Sequence, residues 1–437
     1  MRQTVAPGPR TGRAAVPASK SRAHRLLICA AAGGRETVLK CRGISRDIEA
    51  TIACLRAMGS EITLGEDGIR VRPIRAAEGE AVLPCGESGS TLRFLLPVCG
   101  ALGLRGEFRM EGRLPERPLQ PLGDLLEKQG MRLRKEGDRL IFSGRLRPGE
   151  YEIPGNISSQ YISGLLFALP LLPGESRLRV TGNTESAGYI RMTEEALQQF
   201  GLRAEKEEKE GNEYRIPGGQ GPFGREAKKD EPEMAAKDGS GAAREMTVES
   251  DWSSAAFLLA LGALSPAGVT VEGMNPESRQ GDRAILELLR GFGAEITAGD
   301  GEITARHAPL RGQRIDASGI PDLVPVLAAV AAAAEGETVI EHAERLRLKE
   351  SDRLQTTRAM LAGLGADIRE TEDGLRIRGR ESLRGGTVSS FRDHRIAMAA
   401  AVAASACREP VVIEDAECTE KSYPGFWETL RELEVIS

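Results

Sequence analysis

The chain has 437 residues, 40% hydrophobic and 28% charged, an ordinary balance for folded domains with sizeable cores, which excludes disorder, a collagen-like repeat and a small disulfide scaffold. Lys+Arg 59 against Asp+Glu 64 leaves a net charge of -5, so no global electrostatic reason exists to expect nucleic acid as a partner. Seven cysteines, at 29, 41, 54, 85, 99, 407 and 418, form no CxxC pair and share no ligand spacing with the four histidines; they read as isolated thiols in a reducing compartment, with no metal expected.

In chain order, Arg2, Arg10, Arg13, Lys20, Arg22, Arg25 and Arg35 come before the first acid, Glu36. Pro7, Pro9 and Pro17 argue against an amphipathic targeting helix there. Apolar runs such as 255–264 and 326–334 stop short of the roughly 18 residues a membrane span needs. A soluble cytoplasmic protein without a membrane partner is expected.

Six short polar clusters run directly into alanine- and leucine-rich helical patterns, at Lys20, Gly89, Ser158, Asp251, Asp322 and Asp393. Taking 20, 89, 158, 251, 322 and 393 as markers, the spacings are 69, 69, 93, 71 and 71. A second helical pattern follows most of them and ends at Gly59, Gly130, Gly201, Gly293 and Gly365, spaced by 71, 71, 92 and 72. Glycine there supplies the left-handed cap that turns a helix into a strand. Two independent markers with one period predict an α/β chain of six βαβαββ units, three in each of two lobes.

The single long interval marks the seam. Residues 219–245 are rich in glycine and charge and hold one aromatic, so they read as a mobile polar insertion. The lobes are therefore predicted as 19–244 and as 1–18 plus 245–437, residues 1–18 adding a strand to the second. Chain crossings near 19 and 244 would make a hinge that closes over a ligand.

A helix start offers unpaired N–H groups and about half a positive charge, so several starts together favour an anionic ligand without a basic protein. Lys20, Arg25, Arg93, Arg353 and Arg395 stand at such starts beside Ser21, Ser90, Thr91, Ser351 and Ser389, a mixture suited to phosphate and carboxylate. Ser158-Ser159-Gln160 opens an apolar helix with more polar groups than one N-cap uses; hydroxyls of a sugar or cyclitol would occupy the rest. Asp322 begins an apolar helix, as an N-cap or first-turn aspartate or as a carboxylate facing a ligand hydroxyl. Glu350 is flanked by Lys349 and Arg353, with Asp352 a competing acid, and His394 lies between Asp393 and Arg395 in a supporting role. No dinucleotide, P-loop, zincin or GxSxG motif is present. What remains is charge clamping and proton transfer on small phosphorylated, carboxylated molecules.

Lys20-Ser21 with Arg25, Gly89-Ser90-Thr91-Leu92-Arg93, Arg113 through Arg117-Pro118, 155–160, Lys349-Glu350-Ser351-Asp352-Arg353, Asp393-His394-Arg395 and Lys421-Ser422-Tyr423-Pro424 occur in the order found in the enolpyruvyl transferase family, and the chain resembles its shikimate branch over nearly its whole length. The resemblance implies a two-lobed inside-out α/β barrel, a monomer, no cofactor, and a place in chorismate and aromatic amino-acid biosynthesis. It implies transfer of the enolpyruvyl group of phosphoenolpyruvate to the 5-hydroxyl of shikimate 3-phosphate, through a tetrahedral intermediate. Shikimate 3-phosphate would meet Lys20, Ser21, Arg25, Ser158, Ser159, Ser186, Asp322 and Lys349; phosphoenolpyruvate would meet Lys20, Gly89, Arg113, Gln160, Arg353, Arg395 and Lys421. Lys20, Asp322 and Glu350 would be catalytic. The departures are Glu87, where the family often has asparagine, and the unusual loop Met110 to Arg117. Two alternatives stand beside this reading: the fold-sharing transfer to UDP-N-acetylglucosamine, for which Cys85 and Cys99 sit in no recognisable cysteine loop, and a non-catalytic anion-binding protein.

Overall fold

The computed structural model describes residues 1–75, 79–207, 212–220 and 243–436. The chain divides into two compact units. A middle unit comprises Lys20–Arg42 and Asp47–Val248, and a terminal unit comprises Met1–Ser19, Gly43–Arg46 and Glu249–Ser437. The predicted boundary at 245 falls too early: residues Arg244–Thr247 form a strand that pairs in parallel with Thr37–Lys40 and so belongs to the middle unit. Most of the 219–245 insertion lies outside the described residues.

In the middle unit the helices are α1 (Lys20–Ala31), α2 (Arg46–Ala57), α3 (Gly89–Leu102), α4 (Leu122–Lys128), α5 (Ser159–Ala168) and α6 (Ala187–Gln199). Three sheets share one order, in which an opening strand runs parallel to the second and the last two strands form a hairpin against it. Glu80–Gly86, Arg105–Met110, Arg139–Gly144 and Met131–Glu136 are one such set. A parallel pair needs a crossover, and α3 supplies it. The helices α1, α3 and α5 are buried nearly all round and form the interior of the unit; α3 and α5 are apolar along most of their length, while α1 buries Arg22, His24 and Arg25 in its first turns. Each fully buried Leu or Phe on them contributes about 1.5–3 kcal/mol. Gly164 lets α5 approach α3 closely, because a Cβ there would overlap the Arg93 carbonyl oxygen.

The terminal unit repeats this plan with α7 (Trp252–Ala263), α8 (Ile285–Phe292), α9 (Val324–Ala331), α10 (Arg353–Gly363), α11 (His394–Ala403) and α12 (Phe426–Glu432). Here α7, α9 and α11 are the buried helices, and alanine dominates their facing surfaces. The N-terminal segment gives this unit two strands, where one was expected: Arg2–Val5 pairs antiparallel with Val411–Glu414, and Arg10–Ala15 pairs in parallel with Val269–Glu272. The five helix-ending glycines all adopt the left-handed backbone, with φ of 98° at Gly59, 114° at Gly130, 73° at Gly201, 110° at Gly293 and 92° at Gly365. Among the described residues no helix is long and apolar enough to cross a membrane.

Candidate active site

In the terminal unit, the turn Pro321–Leu323 and the starts of α10 and α11 build one ionic cluster. Arg353, first residue of α10 and 1% exposed, divides its donors among three carboxylates. Its Nη1 reaches Asp322 Oδ1 at 2.7 Å, its Nη2 Glu350 Oε2 at 2.7 Å, and its Nε Asp393 Oδ2 at 2.8 Å. Asp322 also receives Arg395 Nη2 at 3.1 Å and Lys349 Nζ at 3.4 Å, and Lys421 Nζ stands 3.6 Å from Glu350 Oε1. Four cations thus meet three carboxylates, around a core of Arg353 and Asp393 that is fully buried while Asp322 and Lys349 keep part of their surface exposed. Burial opposes ionisation of Asp322, yet Arg395, Lys349 and Arg353 hold its carboxyl well below the usual range.

Capping separates the structural acids from the others. Asp393 is the N-cap of α11, accepting the Arg395 N–H at 3.0 Å, and it also accepts the Ser351 hydroxyl at 3.0 Å. Asp352, the competing acid, caps α10 through the Gln355 N–H at 3.1 Å and pairs with Arg347 at 3.2 Å. Asp322 is no N-cap but stands in the first turn of the short helix Pro321–Leu323, and its carboxylate is engaged by side-chain cations instead of helix N–H groups. His394 is 1% exposed, with Nδ1 3.8 Å from Asp393 Oδ1. Sequence reasoning missed Asp282, a buried acid that accepts the Ser253 hydroxyl; burial, and after it the charge of Asp322, push its carboxyl up to about 6. No spacing signal marks it, because it sits in the short turn Gly281–Ala284.

In the middle unit, Lys20 Nζ pairs with Asp47 at 2.9 Å across the starts of α1 and α2. Arg25, one turn on from Ser21, is buried and donates to Thr193 Oγ1 at 2.8 Å, Ser21 O at 2.7 Å and Tyr189 O at 2.9 Å, with the Phe94 ring 5.0 Å away. These partners are neutral, and burial pulls the Arg25 pKa below its usual value, so an anion here would satisfy a desolvated cation. Arg93 Nη1 donates to Gln160 Oε1 at 2.8 Å, while the Gln160 amide donates to Ser90 Oγ at 2.9 Å, joining the starts of α3 and α5. Ser158 caps α5 by accepting the Gln160 N–H at 3.3 Å; Ser159 follows it, and Ser186 precedes α6 in the left-handed region at φ 53°.

The loop after Met110 differs from expectation. Arg113 points its side chain outward, 44% exposed, with Nε 3.5 Å from Glu116. Arg117 is the arginine beside Gly89: a Cβ on Gly89 would lie 3.0 Å from Arg117 Nη1 and 2.9 Å from Arg93 Nη1. The reason is local, since Pro118 O accepts Tyr161 Oη at 2.8 Å and Arg93 Nη2 at 3.4 Å, pinning the C-terminal end of the loop. Two arginines four residues apart gave the sequence no means of choosing. Glu87 lays its carboxylate against Gly112, which adopts φ 53°. Cys85 is buried and its thiol is pushed up to about 12 by burial, which makes it a poor nucleophile.

Sheets wrapped around buried helices, with cations and hydroxyls at the helix starts, place the chain in the enolpyruvyl transferase class of α/β proteins. The solved EPSP synthase from Acinetobacter baumannii superposes with a TM-score of 0.76 at 26% identity, covering 99% of this chain and 98% of that one. The enolpyruvyl transferase NikO from Streptomyces tendae gives 0.75 at 18% identity, covering 99% and 97%, a likeness of fold alone. The family model described as EPSP synthase (3-phosphoshikimate 1-carboxyvinyltransferase) matches residues 5–430. A 3-phosphoshikimate 1-carboxyvinyltransferase of Clostridium kluyveri is 40% identical over 427 residues, 97% of this chain and 95% of that protein. Its counterpart in Clostridium acetobutylicum is 39% identical over 425 residues, 96% and 94%. The chain belongs to the EPSP synthase family.

Proposed function

We propose that this chain transfers the enolpyruvyl group of phosphoenolpyruvate to the 5-hydroxyl of shikimate 3-phosphate and releases phosphate. The observation that carries the reading is Arg353 holding Asp322 and Glu350 together inside a ring completed by Lys349, Arg395 and Lys421. Two carboxylates among four cations suit a reaction that moves protons on crowded anions.

The 5-oxygen bonds to C2 of phosphoenolpyruvate as its proton passes to the Asp322 carboxylate and C3 takes a proton from Glu350, which enters this step in its acid form. The ketal then loses a C3 proton back to Glu350 and expels phosphate, which leaves with the proton held by Asp322, restoring the vinyl group and both acids to their starting forms. Asp322 is a weak base while three cations face it. A bound phosphate and carboxylate share those cations, which returns basicity to Asp322 when the substrates are in place.

Shikimate 3-phosphate takes Lys20, Ser21, Arg25, Ser158, Ser159 and Ser186, with Asp322 and Lys349 toward its reacting hydroxyl. The neutral surroundings of the Arg25 guanidinium support a phosphate there. Phosphoenolpyruvate takes Lys20, Gly89, Gln160, Arg353, Arg395 and Lys421, and Arg117 in place of Arg113. The protein works as a cytoplasmic monomer.

Phosphate release from phosphoenolpyruvate tests the reading. It should require shikimate 3-phosphate; release with UDP-N-acetylglucosamine instead would overturn the assignment.

A further inference from the structure

Three helices of the middle unit are tied together by a buried chain of hydrogen bonds beneath the residues assigned to the ligands. His24 Nδ1 of α1 lies 2.7 Å from Thr51 Oγ1 of α2, Thr51 Oγ1 lies 2.7 Å from Thr91 Oγ1 of α3, and Thr91 Oγ1 lies 2.7 Å from Ser88 Oγ. All four residues are buried, His24 and both threonines at 0% exposure. Ser88 is the N-cap of α3 and also accepts the Thr91 N–H at 3.3 Å.

The direction of the chain follows from counting protons, because each hydroxyl has one to give. Thr91 donates to Ser88, so toward Thr51 it can only accept. Thr51 spends its proton on Thr91, so toward His24 it accepts as well. The imidazole must then carry its proton on Nδ1, leaving Nε2 as a bare nitrogen, and Nε2 has no hydrogen-bond partner among the described residues. An unprotonated Nε2 in an apolar place costs less than a buried N–H donor with nothing to bond. Burial, with Lys20 and Arg25 nearby and only Asp47 opposing them, keeps the ring neutral.

We propose that His24, Thr51 and Thr91 are positioning residues: a one-way donor chain from α1 through α2 to the Ser88 cap that fixes the first turn of α3, and with it Gly89 and Arg93, relative to the Lys20–Asp47 pair. The chain touches no ligand and acts through the placement of Gly89 and Arg93. This rests on the assignment of phosphoenolpyruvate to the α3 start, and it assigns the chain more weight for that ligand than for shikimate 3-phosphate.

Two measurements test it. In the unsubstituted protein labelled with 15N-histidine, the His24 ring should show the neutral Nδ1–H tautomer from about pH 8 to about pH 5; an Nε2–H tautomer, or protonation near the usual histidine value, overturns the polarity. In Thr51→Val, which keeps the shape and deletes the link, KM for phosphoenolpyruvate should rise ~10-fold while KM for shikimate 3-phosphate stays within about twofold. An unchanged KM for phosphoenolpyruvate, or equal rises for both ligands, overturns the positioning role. The tautomer is read without any turnover, so an unsubstituted protein that fails to release phosphate would count against the proposed reaction and leave the polarity of the chain to be judged on its own spectrum.

Discussion

Arg353 donates through Nη1 to Asp322 at 2.7 Å and, from the same guanidinium, through Nη2 to Glu350 at 2.7 Å, so the two acids proposed to move protons are held by one cation. Asp393 fixes the other side of that cation through Nε at 2.8 Å. Only a planar fork with several donors can serve three carboxylates at once, and lysine cannot replace it.

Removing the fork should therefore damage the fold as well as the reaction. Arg353→Met leaves Asp393, at 0% exposure, without its cation, and the loss expected is about 3–5 kcal/mol in urea unfolding. Arg353→Lys should recover only a minor part of that loss. Stability equal to the unsubstituted protein in both variants would show that the cluster is not held by this residue.

Glu350→Gln and Asp322→Asn should each lower kcat by roughly 10²- to 10⁴-fold, as expected for loss of a proton-transfer group. Shikimate 3-phosphate should still bind to Glu350→Gln in calorimetry, because Arg25 and the serines at the starts of α5 and α6 are untouched. Turnover unchanged in both variants would take Glu350 and Asp322 out of the proton transfers and overturn the catalytic account.

The two arginines of the 110–118 loop separate cleanly. Arg117→Met should raise KM for phosphoenolpyruvate ~10-fold or more, in line with loss of a charge-assisted contact, and Arg113→Met should change it by less than about twofold. The reverse ranking in initial-rate kinetics would restore Arg113 to the site.

Acid stability gives an independent view of His24. Its folded pKa, lowered to about 3, lies below the ordinary 6.5, so the neutral ring contributes stability that is complete above pH 6.5 and is lost as pH falls toward 3. Between about pH 6.5 and about pH 4.5 the unsubstituted protein should lose up to about 1.4 kcal/mol per pH unit more than His24→Asn. Parallel stability curves for the two proteins would mean that His24 titrates as a solvated histidine.

Much of the architecture was legible because it was written as a period. The helix-ending glycines at 59, 130, 201, 293 and 365 mark positions where only a residue without a Cβ fits easily, and all five adopt the left-handed backbone. What could not be read was pairing between distant segments. Nothing in Arg10–Ala15 announces Val269–Glu272 as its neighbour, nor does Arg244–Thr247 announce Thr37–Lys40, because parallel register is set by the packed helices. The same limit explains the site. Glu350 and Arg353 share one helix start and were found together, and Asp322 was recognised as an acid opening an apolar helix. Asp47, Asp282 and the His24 chain depend on side chains meeting across elements, and Arg117 was hidden by the choice between two similar residues in one loop.

The most direct test of the central claim is a turnover experiment in D2O that reads deuterium at the vinyl carbon of the product. If Glu350 gives a proton to C3 and takes one back, the unsubstituted protein incorporates solvent deuterium there, and Glu350→Gln loses incorporation and product formation together. Deuterium entering at the unsubstituted rate in Glu350→Gln would contradict the assignment of that carboxylate to C3.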